Sequence, residues 1–127
     1  DGRPLSDEVK IGDITVKTVD QPHGGITSAG FRFENNDKSI CYATDFGEIT
    51  DEMRNLYLSS DIFVVDALRE KPHPTHAHLK MTLNFITSTN AKLSLLTHMD
   101  KSMDYQELRA QLANGIEPAY DGYQISI

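Results

Sequence analysis

The chain has 127 residues, of which 39% are hydrophobic and 24% are charged, and its formal net charge is −7. This length suffices for one domain with a buried core, and the composition is that of a globular chain rather than a disordered one. The acidic balance argues against a broad electropositive surface for duplex nucleic acid. The single cysteine, Cys41, excludes an intrachain disulfide and a cysteine-cluster zinc site, and its apolar neighbours favour a buried thiol over a reactive one.

Membrane association is not expected from the sequence. No stretch approaches the roughly 18 consecutive apolar residues of a membrane-spanning helix, and no basic-then-apolar leader opens the chain. A cytoplasmic location is therefore the default expectation.

The first half of the chain predicts a region rich in β-strands. Residues 1–10 are polar and are expected at the surface, and residues 14–19 alternate as a half-buried strand does. Proline and two glycines indicate a loop over residues 21–25. Residues 29–34 and 39–44 read as two strands, joined by a hairpin turn over residues 35–38.

The second half alternates between predicted helices and strands. Thr50 can cap a helix over residues 51–59, and Asn90 can end a helix over residues 78–90. A third helix is predicted over residues 104–113, and strands are predicted over residues 61–67, 93–97 and 123–127. This order predicts an α/β fold in which a mixed β-sheet carries helices on one face. The other face has no second set of helices in this chain, which indicates that a partner layer is missing.

Histidines are concentrated at predicted strand ends. The five histidines are His23, His73, His76, His78 and His98, and four of them lie in loops at or just beyond a predicted strand. Asp45 and Asp66 also end predicted strands. Ligands of layered α/β folds gather outside the carboxyl ends of strands. Imidazole and carboxylate suit zinc, manganese or iron, and a bridging carboxylate can hold two cations about 3.5–4 Å apart. Taken singly, each histidine is more often a hydrogen-bonded loop residue than a metal ligand.

The segment from His73 to His78 is not expected to form a three-histidine site by itself. Pro72 and Pro74 stiffen it into an extended conformation, in which His76 and His78 could point to the same side. His78, however, is expected to start the next helix, which turns it away.

Several short segments, in this order, resemble the C-terminal half of the metallo-β-lactamase superfamily. They are Gln21-Pro22-His23-Gly24, Tyr42-Ala43-Thr44-Asp45, Val65-Asp66-Ala67-Leu68-Arg69, His73-Pro74-Thr75-His76 and Leu95-Leu96-Thr97-His98. The combination is similar to the branch that includes phosphoribosyl cyclic phosphodiesterase, with the tRNA 3′-processing endonuclease further away. The resemblance covers the chain from about Ile14 onward and implies half of an αββα sandwich.

The resemblance also implies roles for particular residues. His23 would bind the first of two divalent ions, zinc or manganese, His98 would bind the second, and Asp45 would bridge both. His76 would stand near the substrate phosphate as a proton donor or charge stabiliser. Gly24 and Gly25 would let the backbone pass close to the metals. His73 and His78 match no ligand position, so we expect structural roles for both.

The chain departs from this family in one large respect. The family's His-x-His-x-Asp-His motif, which gives two ligands to each metal, does not occur in residues 1–127. The resemblance therefore implies that residues 1–127 are the C-terminal portion of the domain, with partial or no metal occupancy and little activity alone.

Three functions stay open at this point. The leading one is a phosphodiesterase that uses a water activated by two metals and acts on a small phosphodiester or cyclic phosphate. The others are a non-catalytic binding or assembly module, and a metal-dependent hydrolase of esters, thioesters or lactams. In each case the unfinished sheet predicts a homodimer or association with the missing N-terminal half.

Overall fold

The computed structural model describes residues 8–127, in which seven strands form one mixed sheet in sequential order. The strands are β1 (Glu8–Ile11), β2 (Ile14–His23), β3 (Ile26–Asn35), β4 (Lys38–Ala43), β5 (Ile62–Asp66), β6 (Leu93–Thr97) and β7 (Ile116–Pro118). Strands β1 to β4 pair antiparallel, and β4 to β7 pair parallel. The predicted α/β class with a mixed sheet is confirmed.

The antiparallel strands are joined by tight turns whose residues suit them. Gly24 has a φ of 62° in the turn between β2 and β3, and Asn36 has a φ of 55° between β3 and β4. Glycine and asparagine tolerate this left-handed conformation better than other residues do. The hairpin predicted from residues 29–44 is therefore confirmed, with a shorter turn.

Three helices connect the parallel strands: α1 (Asp51–Tyr57), α2 (Leu79–Thr89) and α3 (Tyr105–Gln111). The Thr50 hydroxyl accepts a hydrogen bond from Met53 N, and Asp104 accepts from the first turn of α3. Asn90 ends α2 in the left-handed conformation, as predicted. His78 is the residue before α2 rather than its first helical residue, because its backbone is extended.

The helices pack on one face of the sheet. Alternate strand residues such as Cys41, Phe63 and Leu96 are fully buried against them. Tyr57 of α1 and Phe85 of α2 complete the core, with a ring-centroid distance of 6.0 Å between them. The strand pairing aligns Phe33 with Ile40 and Phe31 with Tyr42 on the opposite face, where Phe33 is 36% and Tyr42 41% exposed. The prediction of helices on one face is confirmed.

Residues 8–10 are largely exposed, as predicted, but the strand that they belong to was not predicted from the sequence. Residues 1–7 lie outside the described residues, and residues 8–11 form β1, which pairs with residues 14–17 of β2. Gln21, Pro22 and His23 were predicted in a loop but continue β2. Pro22 is tolerated because β1 has already ended, so β2 is an edge strand where proline's missing N–H costs no ladder bond.

The predicted strand over residues 123–127 was also wrong. The last strand is β7, whose Ile116 pairs with Ser94 of β6. Tyr123 instead donates from its hydroxyl to Glu117 Oε2 at 2.9 Å and packs edge-on against Tyr120. Residues 123–127 were therefore wrongly predicted to form a strand from their alternating sequence. Contacts of the Tyr123 side chain hold this segment instead.

Candidate metal centre

The functional residues are gathered at one edge of the sheet by strand direction. His23 ends β2, Asp66 ends β5, and His98 directly follows β6. Asp45 lies two residues after β4. Because β4 to β6 are parallel, and β2 is related to β4 by two antiparallel pairings, all four strands end at this edge.

All three predicted metal ligands lie in this cluster. Asp45 Oδ1 is 3.9 Å from His98 Nε2 and 4.0 Å from His76 Nδ1. Ligand atoms of His23, Asp45 and His76 lie within 4.8 Å of one another. Asp45 therefore lies within reach of both His23 and His98, as a carboxylate shared between two ions would have to.

His76 lies at the centre of the histidines. Its ring centroid is 4.7 Å from that of His23, 4.9 Å from that of His98 and 5.1 Å from that of His73. His78 precedes α2 and contributes its carbonyl oxygen to Thr82 N. The extended segment before α2 thus directs His76, rather than a set of three neighbouring histidines, into the cluster.

Asp66 contacts two of these histidines, and sequence reasoning left it out of the site. Its side chain is fully buried, with Oδ2 3.1 Å from His76 Nδ1 and Oδ1 3.4 Å from His98 Nδ1. Asp66 Oδ2 also accepts a hydrogen bond from Asp45 N at 3.1 Å. A buried carboxylate is costly unless it is paired, so its two histidine neighbours explain its presence. The signal in the sequence was an acidic residue ending the strand next to that of Asp45.

Contacts at Nδ1 orient the imidazole rings of His23 and His98. His23 Nδ1 donates to the Thr75 carbonyl oxygen at 2.8 Å, which leaves its Nε2 free for an ion. His98 directs Nδ1 to Asp66 and Nε2 to Asp45. Such contacts orient histidine ligands in metal sites.

Two residues of the site have an uncommon backbone conformation, and a third packs closely against a neighbouring loop. Asp45 has a φ of 59° and His98 a φ of 60°, a conformation that few residues other than glycine adopt. A Cβ on Gly24 would lie 2.6 Å from Thr75 Cγ2, so Gly24 permits the approach of the segment that carries His76. A Cβ on Gly25 would meet no protein atom within 4 Å, so its role beside the metals stays a prediction.

The donor set fits divalent cations. It offers three imidazoles and two carboxylates, which suit zinc or manganese. The buried Asp66 Oδ1 has no hydrogen-bond partner, so its pairing with His98 Nδ1 is electrostatic only. His23, Asp45 and His98 are the ligands that could face the ions, with Asp66 behind them.

Comparison with known proteins identifies the family. The sequence model of the beta-lactamase superfamily domain matches residues 3–99. The chain belongs to the metallo-β-lactamase superfamily. A search of curated protein sequences found no match.

Solved structures of this superfamily share the fold. A diphosphatase from the PhnP family is 32% identical, with a TM-score of 0.88, over 96% of this chain and 46% of that one. The metallo-β-lactamase fold protein YhfI from Bacillus subtilis is 16% identical, with a TM-score of 0.84, over 97% and 54%. The short form of human tRNase Z is 22% identical, with a TM-score of 0.74, over 95% and 47%. The chain therefore spans about half the length of the structures that it matches.

No helix within residues 8–127 is both long enough and apolar enough to cross a membrane.

Proposed function

We propose that this chain is the C-terminal half of a metal-dependent hydrolase that cleaves small phosphodiesters or cyclic phosphates. The observation that carries the proposal is the meeting of three histidines and two carboxylates at one sheet edge, with Asp45 Oδ1 within about 4 Å of both His76 and His98. The 32% identity to a diphosphatase supports a phosphate ester or anhydride as the substrate class.

His23, Asp45 and His98 would hold two divalent ions, zinc or manganese. Asp45 has two carboxylate oxygens and lies near ligand atoms of both His23 and His98, so it would be shared. Ions bound there would supply an activated water and would neutralise charge on the phosphate.

His76 is the proposed proton donor. Its Nδ1 lies 3.1 Å from the buried Asp66 carboxylate, which fixes the ring and the direction of Nε2. From Nε2 a proton can pass to the leaving oxygen of a phosphodiester, a contribution on the order of 10²- to 10⁴-fold in rate. Asp66 acts through His76 and is a positioning residue.

Residues 1–127 alone are proposed to be inactive. They offer each ion one terminal histidine and a share of Asp45, whereas catalytic zinc sites normally use three protein ligands. The remaining ligands would come from a His-x-His-x-Asp-His motif outside these residues. A cytoplasmic location stays a prediction.

Hydrolysis of bis(p-nitrophenyl) phosphate tests this proposal. With zinc or manganese, the 127-residue chain should give no useful turnover, and the protein made from the complete reading frame should. In that longer protein, His76→Ala should lower kcat by on the order of 10²-fold or more. His78→Ala is the matched control, since it removes an imidazole from the same segment but outside the cluster. Efficient turnover by the 127-residue chain would contradict the proposal that it carries only half of the metal site. Equal losses of kcat in His76→Ala and His78→Ala would contradict the role of His76 as proton donor.

A further inference from the structure

A buried chain of hydrogen bonds links α1 to the turn that carries Asp45. The Tyr57 hydroxyl donates to Gln21 Oε1 at 2.7 Å. Gln21 Nε2 donates to the Thr44 carbonyl oxygen at 2.8 Å and to Ser28 Oγ at 3.0 Å. The Ser28 hydroxyl in turn donates to the carbonyl oxygen of Asp45 at 2.7 Å.

The direction of this chain of bonds is fixed by its ends. A main-chain carbonyl can only accept, so the amide nitrogen of Gln21 must face Thr44 and its oxygen must face Tyr57. Burial raises the pKa of Tyr57, so its hydroxyl keeps the proton that it donates. Gln21 is fully buried, and both polar atoms of its side chain are satisfied.

The sheet leaves room for these bonds at one glycine. A Cβ on Gly30 would lie 1.6 Å from the Tyr57 hydroxyl oxygen and 2.6 Å from Gln21 Oε1. No side chain can occupy that space while the two polar groups meet there. The absence of a side chain at Gly30 is therefore a condition for the bond between Tyr57 and Gln21.

The bonds end on the two residues that determine where the Asp45 carboxylate lies. Asp45 has a φ of 59°, a left-handed conformation that is uncommon outside glycine, although aspartate tolerates it better than most residues do. Ser28 and Gln21 hold the two carbonyls of this turn, and Gly47 N donates to the Pro22 carbonyl at 2.8 Å just beyond it. Loss of these bonds would free the turn to adopt the more common extended conformation.

We propose that Gln21, Ser28 and Tyr57 are positioning residues that hold the Asp45 carboxylate within reach of the surrounding histidines. The inference rests on the proposed function, because it takes Asp45 to be the shared metal ligand. Its consequence is that packing of α1, through Tyr57, controls the geometry of the metal centre at the end of β2.

Two variants and one control separate positioning from simple stability. Ser28→Ala removes the donor to Asp45, and Gln21→Met removes the central amide at similar volume. Thr89→Val is the control, since its buried hydroxyl also donates to a main-chain carbonyl, that of Ile86 at 2.9 Å, but at the end of α2. Two readouts are measured on the 127-residue chain: amide hydrogen exchange at residues 45–47 without metal, and zinc affinity by competition with a chromophoric chelator.

We expect exchange at residues 45–47 to quicken about tenfold or more in Ser28→Ala and Gln21→Met, relative to Thr89→Val. Zinc affinity should fall on the order of tenfold in the same two variants, as it does when residues that orient metal ligands are removed. Faster local exchange supports the positioning role whether or not the chain binds zinc, whereas zinc binding that is unchanged in Asp45→Asn would contradict the proposed function. Exchange and affinity equal to those of Thr89→Val would overturn the inference.

Discussion

At the scale of single residues, the site depends on a carboxylate that is completely shielded from water. Asp66 faces Nδ1 of both His76 and His98 and also accepts from Asp45 N. It therefore touches the proposed proton donor and two proposed metal ligands at once. Sequence patterns placed Asp66 at a strand end, but they carry no information on which side chains meet it from other loops.

Replacing Asp66 with asparagine should loosen the metal centre. An amide cannot pair with Nδ1 of two histidines as a carboxylate does, so both rings lose their orientation. We expect zinc affinity to fall about 10- to 100-fold, the range for residues that orient metal ligands. Asp104→Asn is the control, because Asp104 also accepts from a main-chain N–H group, that of Gln106 at 2.9 Å, but at the start of α3. Equal affinities for the two variants would show that Asp66 orients nothing.

A second acidic residue makes stability depend on pH. Lys92 Nζ lies 2.7 Å from Asp61 Oδ1, and Ser39 N donates to Asp61 Oδ2 at 2.8 Å. The bond from Lys92 is the larger cause that lowers the pKa of Asp61, followed by the bond from Ser39. A carboxyl whose pKa is lowered by folding stabilises the fold above its unfolded pKa, about 3.9, and loses this contribution as the pH falls through the folded value.

Asp61→Asn should therefore be less stable than the wild-type chain at neutral pH, and the difference should shrink in acid. Urea unfolding at a series of pH values from neutral down to below the folded pKa of Asp61 measures both chains. A difference in the free energy of unfolding that stays constant over this range would contradict the assignment.

At the scale of elements, the sequence predicted the interior of the fold better than its ends. Continuous apolar runs such as the one in β5 can only be buried, and Asn90 stops α2 by local chemistry, so both were predicted correctly. Strand β7 was missed because three residues carry too short a pattern, and its pairing with β6 is a long-range contact. Pro22 was read as a loop residue because the sequence does not reveal where β1 ends.

The site was predictable to a similar extent. The sequence shows that several histidines and Asp45 follow predicted strands, and neighbouring parallel strands end at the same edge of a sheet. The left-handed backbone at Asp45 and His98, and the carbonyl of Thr75 beside His23, arise from packing of separate loops. No local pattern indicates them.

The close contact between β3 and α1 gives a prediction at this scale. Gly30→Ala should destabilise the chain by about 1–3 kcal/mol, as overpacking does, because the new methyl group meets the Tyr57 hydroxyl. Tyr57→Phe in the same chain should recover part of this loss, a non-additivity expected of residues in contact. Gly25→Ala is the control, since its Cβ would face open space. Chemical denaturation of the wild-type chain, the three single variants and the double variant measures these effects, and equal stabilities of the two alanine variants would contradict the packing.

At the scale of the whole molecule, the helices of residues 8–127 cover one face of the sheet and leave the other open. The open face carries aromatic and aliphatic side chains, among them Phe33 and Tyr42, which are 36% and 41% exposed. Chains of this superfamily with known structure are about twice as long. Monomeric proteins seldom expose large contiguous apolar patches, so this face needs a cover.

We expect the 127-residue chain to self-associate through this face, most simply as a symmetric dimer. Tyr42→Glu should weaken the association, because it buries a charge. Leu58→Glu should not, because Leu58 is also exposed but lies at the end of α1 on the helix-covered side. Sedimentation equilibrium with mass spectrometry of the same sample distinguishes a dimer from a retained N-terminal piece. A single 14.2 kDa species without a co-purifying peptide would contradict both.

The most direct test of a half metal centre built around Asp45 is calorimetric titration of zinc or manganese into the wild-type chain and into Asp45→Asn. Because each ion would have one terminal histidine and a shared carboxylate, binding by the wild-type chain should be on the order of micromolar or weaker. It should be lost in Asp45→Asn, since both ions depend on that residue, and kept in Asp13→Asn, which removes a carboxylate far from the cluster. Tight binding by the wild-type chain that persists unchanged in Asp45→Asn would contradict this assignment.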